Sequence, residues 1–112
     1  MASTLVPDTS RACIDACAEC ARACEACAQS CIGDAAMAGC ARLCLDCATI
    51  CAACITLLAR GSAWAGRLCQ LCTDICDACA AECERYDTEE CQACARACRA
   101  CAEQCRAMAA SA

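Results

Sequence analysis

CIDACAECARACEACAQSC, residues Cys13 to Cys31, places six cysteines at Cys13, Cys17, Cys20, Cys24, Cys27 and Cys31. Their steps alternate between four and three residues, a mean near the 3.5-residue seam of a supercoiled helix. A helix so spaced carries thiol along one face from end to end. Three further runs repeat the pattern: Cys40, Cys44, Cys47, Cys51 and Cys54; Cys69, Cys72, Cys76, Cys79 and Cys83; Cys91, Cys94, Cys98, Cys101 and Cys105. Four copies of one helical unit predict an all-α chain whose interior is sulfur.

Composition agrees. Of 112 residues 21 are cysteine, with no Phe, one Trp and one Tyr, so the side chains that usually fill a core are nearly absent. Alanine supplies helix propensity, and the scarcity of Val and Thr argues against strands. A short cysteine-rich chain is often a secreted disulfide scaffold. Here the count is odd, the thiols repeat at helix period, and Met1 to Ser10 show neither an apolar signal core nor a twin arginine. The expected compartment is therefore cytoplasmic and reducing. The net charge is −5, with Arg and acidic residues interspersed and no Lys or His. No basic patch suggests nucleic acid, and no uncharged apolar run suggests a membrane span.

The punctuation divides the chain. Residues 1–8 read as a tail ending around Pro7, with Asp8 or Ser10 available to cap the first helix. Helices are expected over about 9–32, 35–60, 63–85 and 88–109, so that residues 9–110 form the bundle. Gly33 and Gly61 are left-handed stops, Asp34 and Ser62 are caps, and Asp87 to Glu90 has capping-box spacing. Turns of a few residues make neighbours antiparallel, which gives an up-down-up-down four-helix bundle.

With cysteine at heptad positions a and d, the flanking e and g positions are mostly small: Ala16, Ala21, Ala23, Ala28, Ala41, Ala48, Ala80, Ala95, Ala97 and Ala102. Helices two and three depart from this, with Leu43, Ile50 and Leu57, then Leu68 and Ile75, at g, and Leu45 and Leu71 further out. That stripe either packs two helices together or forms an oligomer surface. Charged pairs such as Glu19/Arg22 and Arg99/Glu103 read as a solvated face.

Cysteine acting only as a small hydrophobe would tolerate Ala, Val or Leu within the seam, and none occurs. Facing thiols could instead form disulfides in a structural or redox bundle. The third reading is metal. Thiolates are soft ligands for Cu(I), Zn or Fe–S, and eight CxxC pairs recur in register. Zinc in four-thiolate sites keeps a charge of −2 per site, and no Arg lies in the seam to neutralise it. A univalent ion shared by bridging thiolates neutralises the interior, and Cu(I) is such an ion. Iron–sulfur clusters need discrete groups of four cysteines, which the seam does not form. Catalysis has little support: there is no His, and no Ser or Thr on the inner face of helices two to four. Cu(I) is thus expected, with zinc and disulfide formation as alternatives.

The run Cys91-Gln-Ala-Cys-Ala-Arg-Ala-Cys-Arg-Ala-Cys-Ala-Glu-Gln-Cys105 after Glu90, and the segment Asp34-Ala-Ala-Met37-Ala-Gly-Cys40, resemble the cytosolic Csp-type copper storage proteins over about residues 10–110. The resemblance implies storage of many Cu(I) ions per chain on all 21 cysteines, in a homotetramer, without enzymatic activity. A copper chaperone or a recipient cuproenzyme would be the protein partner. Members commonly carry His near the bundle mouth, where this sequence has Ser30 and Arg106. One end of the bundle should gather Cys31, Met37, Cys40, Cys83, Tyr86 and Cys91. The other should gather Cys13, Leu58, Trp64, Cys105 and Met108, with Leu58 and Trp64 as a plug. Copper is then expected to enter beside the Met37 thioether; alternatively Met37 and Met108 simply fill gaps.

Overall fold

The structure is a computed structural model that describes residues 6–111; residues 1–5 of the expected tail lie outside the described residues. Four helices run through it: α1 Asp8–Ser30, α2 Ala38–Arg60, α3 Ala65–Cys83 and α4 Glu89–Ser111. A 3-10 turn, Ala35–Met37, precedes α2. The described residues include no strand. Each helix lies along two neighbours, and diagonal partners such as α2 and α4 meet through cysteine sulfurs at the axis, giving a four-cornered rod of 47 × 24 × 17 Å. Cys13 near the start of α1 meets Cys105 near the end of α4, while Cys27 near the end of α1 meets Cys40 and Cys91 near the starts of α2 and α4. Sequential helices are therefore antiparallel.

The helix ends follow local chemistry, with corrections. Pro7 occupies the N-cap of α1, where its fixed φ suits helix entry. Neither expected side chain caps it: Asp8 is already helical and its carboxylate accepts from Arg11 at 2.7 Å. Asp34 does act as a cap, accepting from the Ala36 N–H at 3.0 Å, but the turn it opens is 3-10, so α2 starts at Ala38 rather than 35. Gly61 ends α2 at φ 66°, the left-handed conformation an L side chain resists. Ser62 Oγ accepts from the Trp64 N–H at 3.1 Å. Before α4, Thr88 rather than Asp87 takes the capping role, its hydroxyl accepting from the Cys91 N–H at 3.2 Å.

The flanking residues decide how closely helices approach. At the e positions Ala28, Ala48, Ala80, Ala95 and Ala102 are buried, Ala80 completely. These alanines close the α1–α2 and α3–α4 pairs, the most extensive contacts in the bundle. The g positions meet across α2–α3, where Ile50 is buried and Leu43, Leu57, Leu68 and Ile75 are half-buried against the core. The apolar stripe thus packs two helices together. Its outer members, Leu45 and Leu71, remain exposed. Thr73 is buried, against the expectation of no inner-face hydroxyl on α3, but it lies at an e position and its hydroxyl donates to the Cys69 carbonyl at 2.9 Å. Arg22 pairs with Glu19 as expected. Arg99 does not pair with Glu103; it reaches across to Glu84 at 3.0 Å and Asp77 at 3.6 Å, and Arg106 joins Asp77 at 2.9 Å. These bridges tie α4 to α3, because antiparallel neighbours bring those carboxylates closer than the next helical turn does.

α2 with its preceding turn is long and apolar enough, by composition alone, to cross a membrane. In the bundle its five cysteines, Ala48, Ile50 and Leu58 are buried against the other helices.

Candidate metal-thiolate interior

The 21 cysteines are all buried and all free thiols. Twenty have no accessible surface; Cys31 retains 3 %. The a/d register alone explains this burial, since each helix turns its thiol face to the common axis.

Contacts between sulfurs run the length of the bundle. At one end Cys13 and Cys17 lie 3.7 and 3.8 Å from Cys105. In the middle Cys47 lies 3.5 Å from Cys76 and 3.7 Å from Cys20, and Cys20 lies 3.7 Å from Cys98. Towards the other end Cys44 contacts Cys94 and Cys83, each at 3.8 Å, Cys40 lies 3.6 Å from Cys83, and Cys27 lies 3.5 Å from Cys91.

Groups of four sulfurs lie mutually within 4.8 Å: Cys17, Cys72, Cys101 and Cys105; Cys20, Cys51, Cys76 and Cys101; Cys20, Cys24, Cys47 and Cys98; Cys24, Cys79, Cys94 and Cys98; Cys27, Cys40, Cys44 and Cys83. Neighbouring groups share members. Cys101 belongs to two, Cys20 to two, and Cys24 with Cys98 to two. Tetrahedral dications filling every group would compete for these shared thiolates. Metal ions that accept bridging thiolates use the same sharing to form a continuous cluster.

Protonation follows from crowding. Burial pushes Cys40 up to about 11 and raises Cys27 as well, because a thiolate there loses its hydration. Cys79 and Cys105 go the other way, to about 6. Contacts with neighbouring thiols lower them, chiefly Cys24 and Cys44 for Cys79, and Cys101 and Cys13 for Cys105. Thiols shifted in both directions thus share one seam. Metal entering it must displace protons.

The two ends differ. Met37 is buried in the same core cluster as Cys31 and Cys40. Tyr86 stands over this end, its hydroxyl 3.0 Å from Glu82 Oε2 and 3.4 Å from the Ala36 carbonyl. At the opposite end Leu58 is buried as expected of a plug. Trp64 is not part of it. The indole is 65 % exposed and stacks on the Arg67 guanidinium, 5.4 Å from the ring centroid. Its position just ahead of α3 turns it outward, and the closure falls instead to Leu58, Ala65 and Met108. These line a cavity of about 290 Å³ with Ser10, Gly61, Ser62, Ala63 and Gly66, and no cysteine reaches it. Ser30 and Arg106 take no part in the interior. The Ser30 hydroxyl donates to the Cys27 carbonyl at 2.7 Å, and Arg106 is exposed. Sequence reading passed over Thr88 and Gln92, whose side-chain amide donates to the Tyr86 carbonyl at 2.6 Å. Thr88 stands three residues before Cys91, the spacing of an N-cap hydroxyl to the N–H it accepts.

A soft-donor lining with shared corners is what a family comparison can test, and the family described as copper storage protein (Csp) matches residues 6–110. The chain belongs to the copper storage protein family. Among solved structures it is similar to apo-Csp3 of Bacillus subtilis, with 47 % identity over 89 % of this chain and 98 % of that one and a TM-score of 0.85. The Cu(I)-bound form of that Bacillus protein aligns at 45 % identity, covering 91 % and 99 % of the two chains, with a TM-score of 0.86. A cytosolic copper storage protein of Streptomyces lividans, in a structure with five coppers, aligns at 34 % identity, covering 92 % and 93 %, with a TM-score of 0.86. Comparison with curated proteins gave no match. Membership in this family accounts for a core of thiols where other bundles place leucine.

Proposed function

We propose that this copper storage protein holds many Cu(I) ions on the thiolates of its interior, with all 21 cysteines, from Cys13 to Cys105, as ligands. The observation that carries the reading is the sharing of buried thiols between adjacent four-sulfur groups. Bridging thiolates let the metal count approach the sulfur count, so each monocation offsets one buried anion. Zinc confined to separate four-thiolate sites would leave buried charge uncompensated. The role is binding and release, without turnover of a substrate.

Cu(I) enters at the Met37 end in this reading. The other end is closed by Leu58, and its cavity does not reach a thiol. At the Met37 end the buried thioether is a soft donor, and Cys31, at the end of α1, is the one thiol with residual exposure. The protein works in the cytoplasm as a homotetramer, with the exposed Leu45 and Leu71 available for subunit contact. It exchanges copper with a chaperone or a cuproenzyme.

Anaerobic titration of the reduced protein with Cu(I), against a competing chelator, tests the central claim. Uptake approaching one ion per thiol, with the far-UV helical signal unchanged, is expected. Saturation at about four or five ions would favour separate four-thiolate sites instead.

A further inference from the structure

The segment that carries Met37 is a strap. It leaves α1 through Gly33, whose φ of 91° is left-handed and whose missing Cβ would meet nothing within 4 Å. Its own hydrogen bonds are local. The Asp34 N–H donates to the Cys31 carbonyl at 3.2 Å, the Met37 N–H to the Asp34 carbonyl at 3.0 Å, and the Ala36 N–H to Asp34 Oδ1 at 3.0 Å. The 3-10 turn lies along α2, and its Met37 side chain is buried in the core.

One polar contact crosses from the opposite half of the bundle. The Tyr86 hydroxyl, just beyond α3, lies 3.4 Å from the Ala36 carbonyl. Its single proton is shared with Glu82 Oε2 at 3.0 Å. Tyr86 is held on its own side at both main chain and ring. Gln92 binds its carbonyl at 2.6 Å, its N–H donates to the Cys83 carbonyl at 3.1 Å, and the Arg85 guanidinium sits 5.6 Å from its ring centroid. The phenol therefore reaches across to a strap whose backbone hydrogen bonds are otherwise local. The tie is long and three-centred, hence weak, and can open without disturbing the helices.

We infer that Tyr86 is a positioning residue that latches the Ala35–Met37 strap across the end of the bundle and sets the rate, but not the extent, of Cu(I) exchange. Tyr86 is not a ligand in this account. It acts by holding Met37 over the thiols beneath. The inference rests on the reading that Cu(I) passes the Met37 end.

The test compares wild type with Tyr86→Phe, which keeps the ring and removes only the hydroxyl. Amide exchange across residues 33–38 of the reduced apo protein, followed by mass spectrometry, reports the latch directly. Stopped-flow transfer of Cu(I) from a coloured chelate reports the gate. The expected result is faster exchange confined to 33–38 and loading faster by roughly two- to tenfold, the factor that losing one hydrogen bond carries. Final copper capacity and thermal midpoint should stay at wild-type values. Unchanged amide exchange overturns the latch, whatever loading does. Faster exchange with unchanged loading overturns the gating role, and Met37→Leu then reads the route separately: slower loading keeps entry at the Met37 end, wild-type loading overturns that reading.

Discussion

Met37 and the cysteines around it show how much depends on single atoms. Met37 is 8 % exposed, so its thioether both fills space and offers a soft donor at the end of the thiol column. The two roles separate on substitution. Met37→Leu keeps volume and hydrophobicity, and such swaps usually cost less than about 1.5 kcal/mol. If the sulfur receives incoming Cu(I), the leucine variant should load severalfold more slowly in a stopped-flow assay while reaching the same final capacity. Equal rates would assign Met37 to packing alone. The seam cysteines offer no such separation, because each is at once core atom and thiol.

At the scale of helices, the alanines decide the geometry of the interior. Ala80, Ala95 and Ala102 have 2 % exposure or less in the extensive α3–α4 contact, while leucine and isoleucine fill the less extensive α2–α3 contact. The cross-section is therefore unequal on its two axes, and the sulfurs meet in shared groups of four rather than in separate layers. Enlarging a closed face should be felt at once. Ala102→Leu should destabilise the apo bundle by about 1–3 kcal/mol, the usual range for overpacking, whereas Ala97→Leu on the half-buried α1–α4 face should cost less. Urea unfolding followed by circular dichroism, under reducing conditions, measures both. These contacts also predict which face yields first, since α3 and α4 are further tied by Arg99 and Arg106 to Asp77 and Glu84. Arg99 correspondingly draws the Glu84 carboxyl below its ordinary range.

For the whole molecule, the thiol column couples folding to pH and to metal. Cys40 and Cys27 hold their protons above the ordinary thiol value of 9.0 because burial disfavours the thiolate. The unfolded chain releases those protons first, so the stability they confer is full below about pH 9 and is lost as pH climbs towards 11. Cys79 and Cys105, at about 6, act with the opposite sign. Their contribution is full above about pH 9 and fades as pH falls through 6. Thermal midpoints of reduced apo protein should therefore rise gently from pH 6 to 9 and drop above it. Copper-loaded protein should lose both limbs, because coordinated thiolates no longer exchange protons over that range. An apo midpoint that keeps rising beyond pH 10 would contradict the raised thiols. The fold brings the segments of Asp34, Asp87, Glu89 and Glu90 to the Met37 end, a field that favours the approach of cations.

Sequence by itself determined the thiol column. Once 21 cysteines fall on a 4–3 repeat in four segments joined by a few turn residues, an inward-facing sulfur lining follows from helix periodicity alone. The soft-metal chemistry follows from the sulfur. The left-handed Gly61 was equally legible, because a helix that must stop and turn needs that conformation. Other features were decided only in three dimensions. A heptad repeat treats the e and g flanks alike, so it could not say that the e alanines would join α1 to α2 and α3 to α4, leaving the leucines to α2–α3. Spacing is likewise silent on axial stagger, which sets the corners that Cys20, Cys24, Cys98 and Cys101 share and the carboxylates that Arg99 finds. Trp64 looked like a plug because it is large and apolar, but its place ahead of α3 faces it to solvent. Tyr86 drew notice as one of several residues at its end, while its reach to Ala36, fifty positions away, exists only because the bundle folds those two turns together.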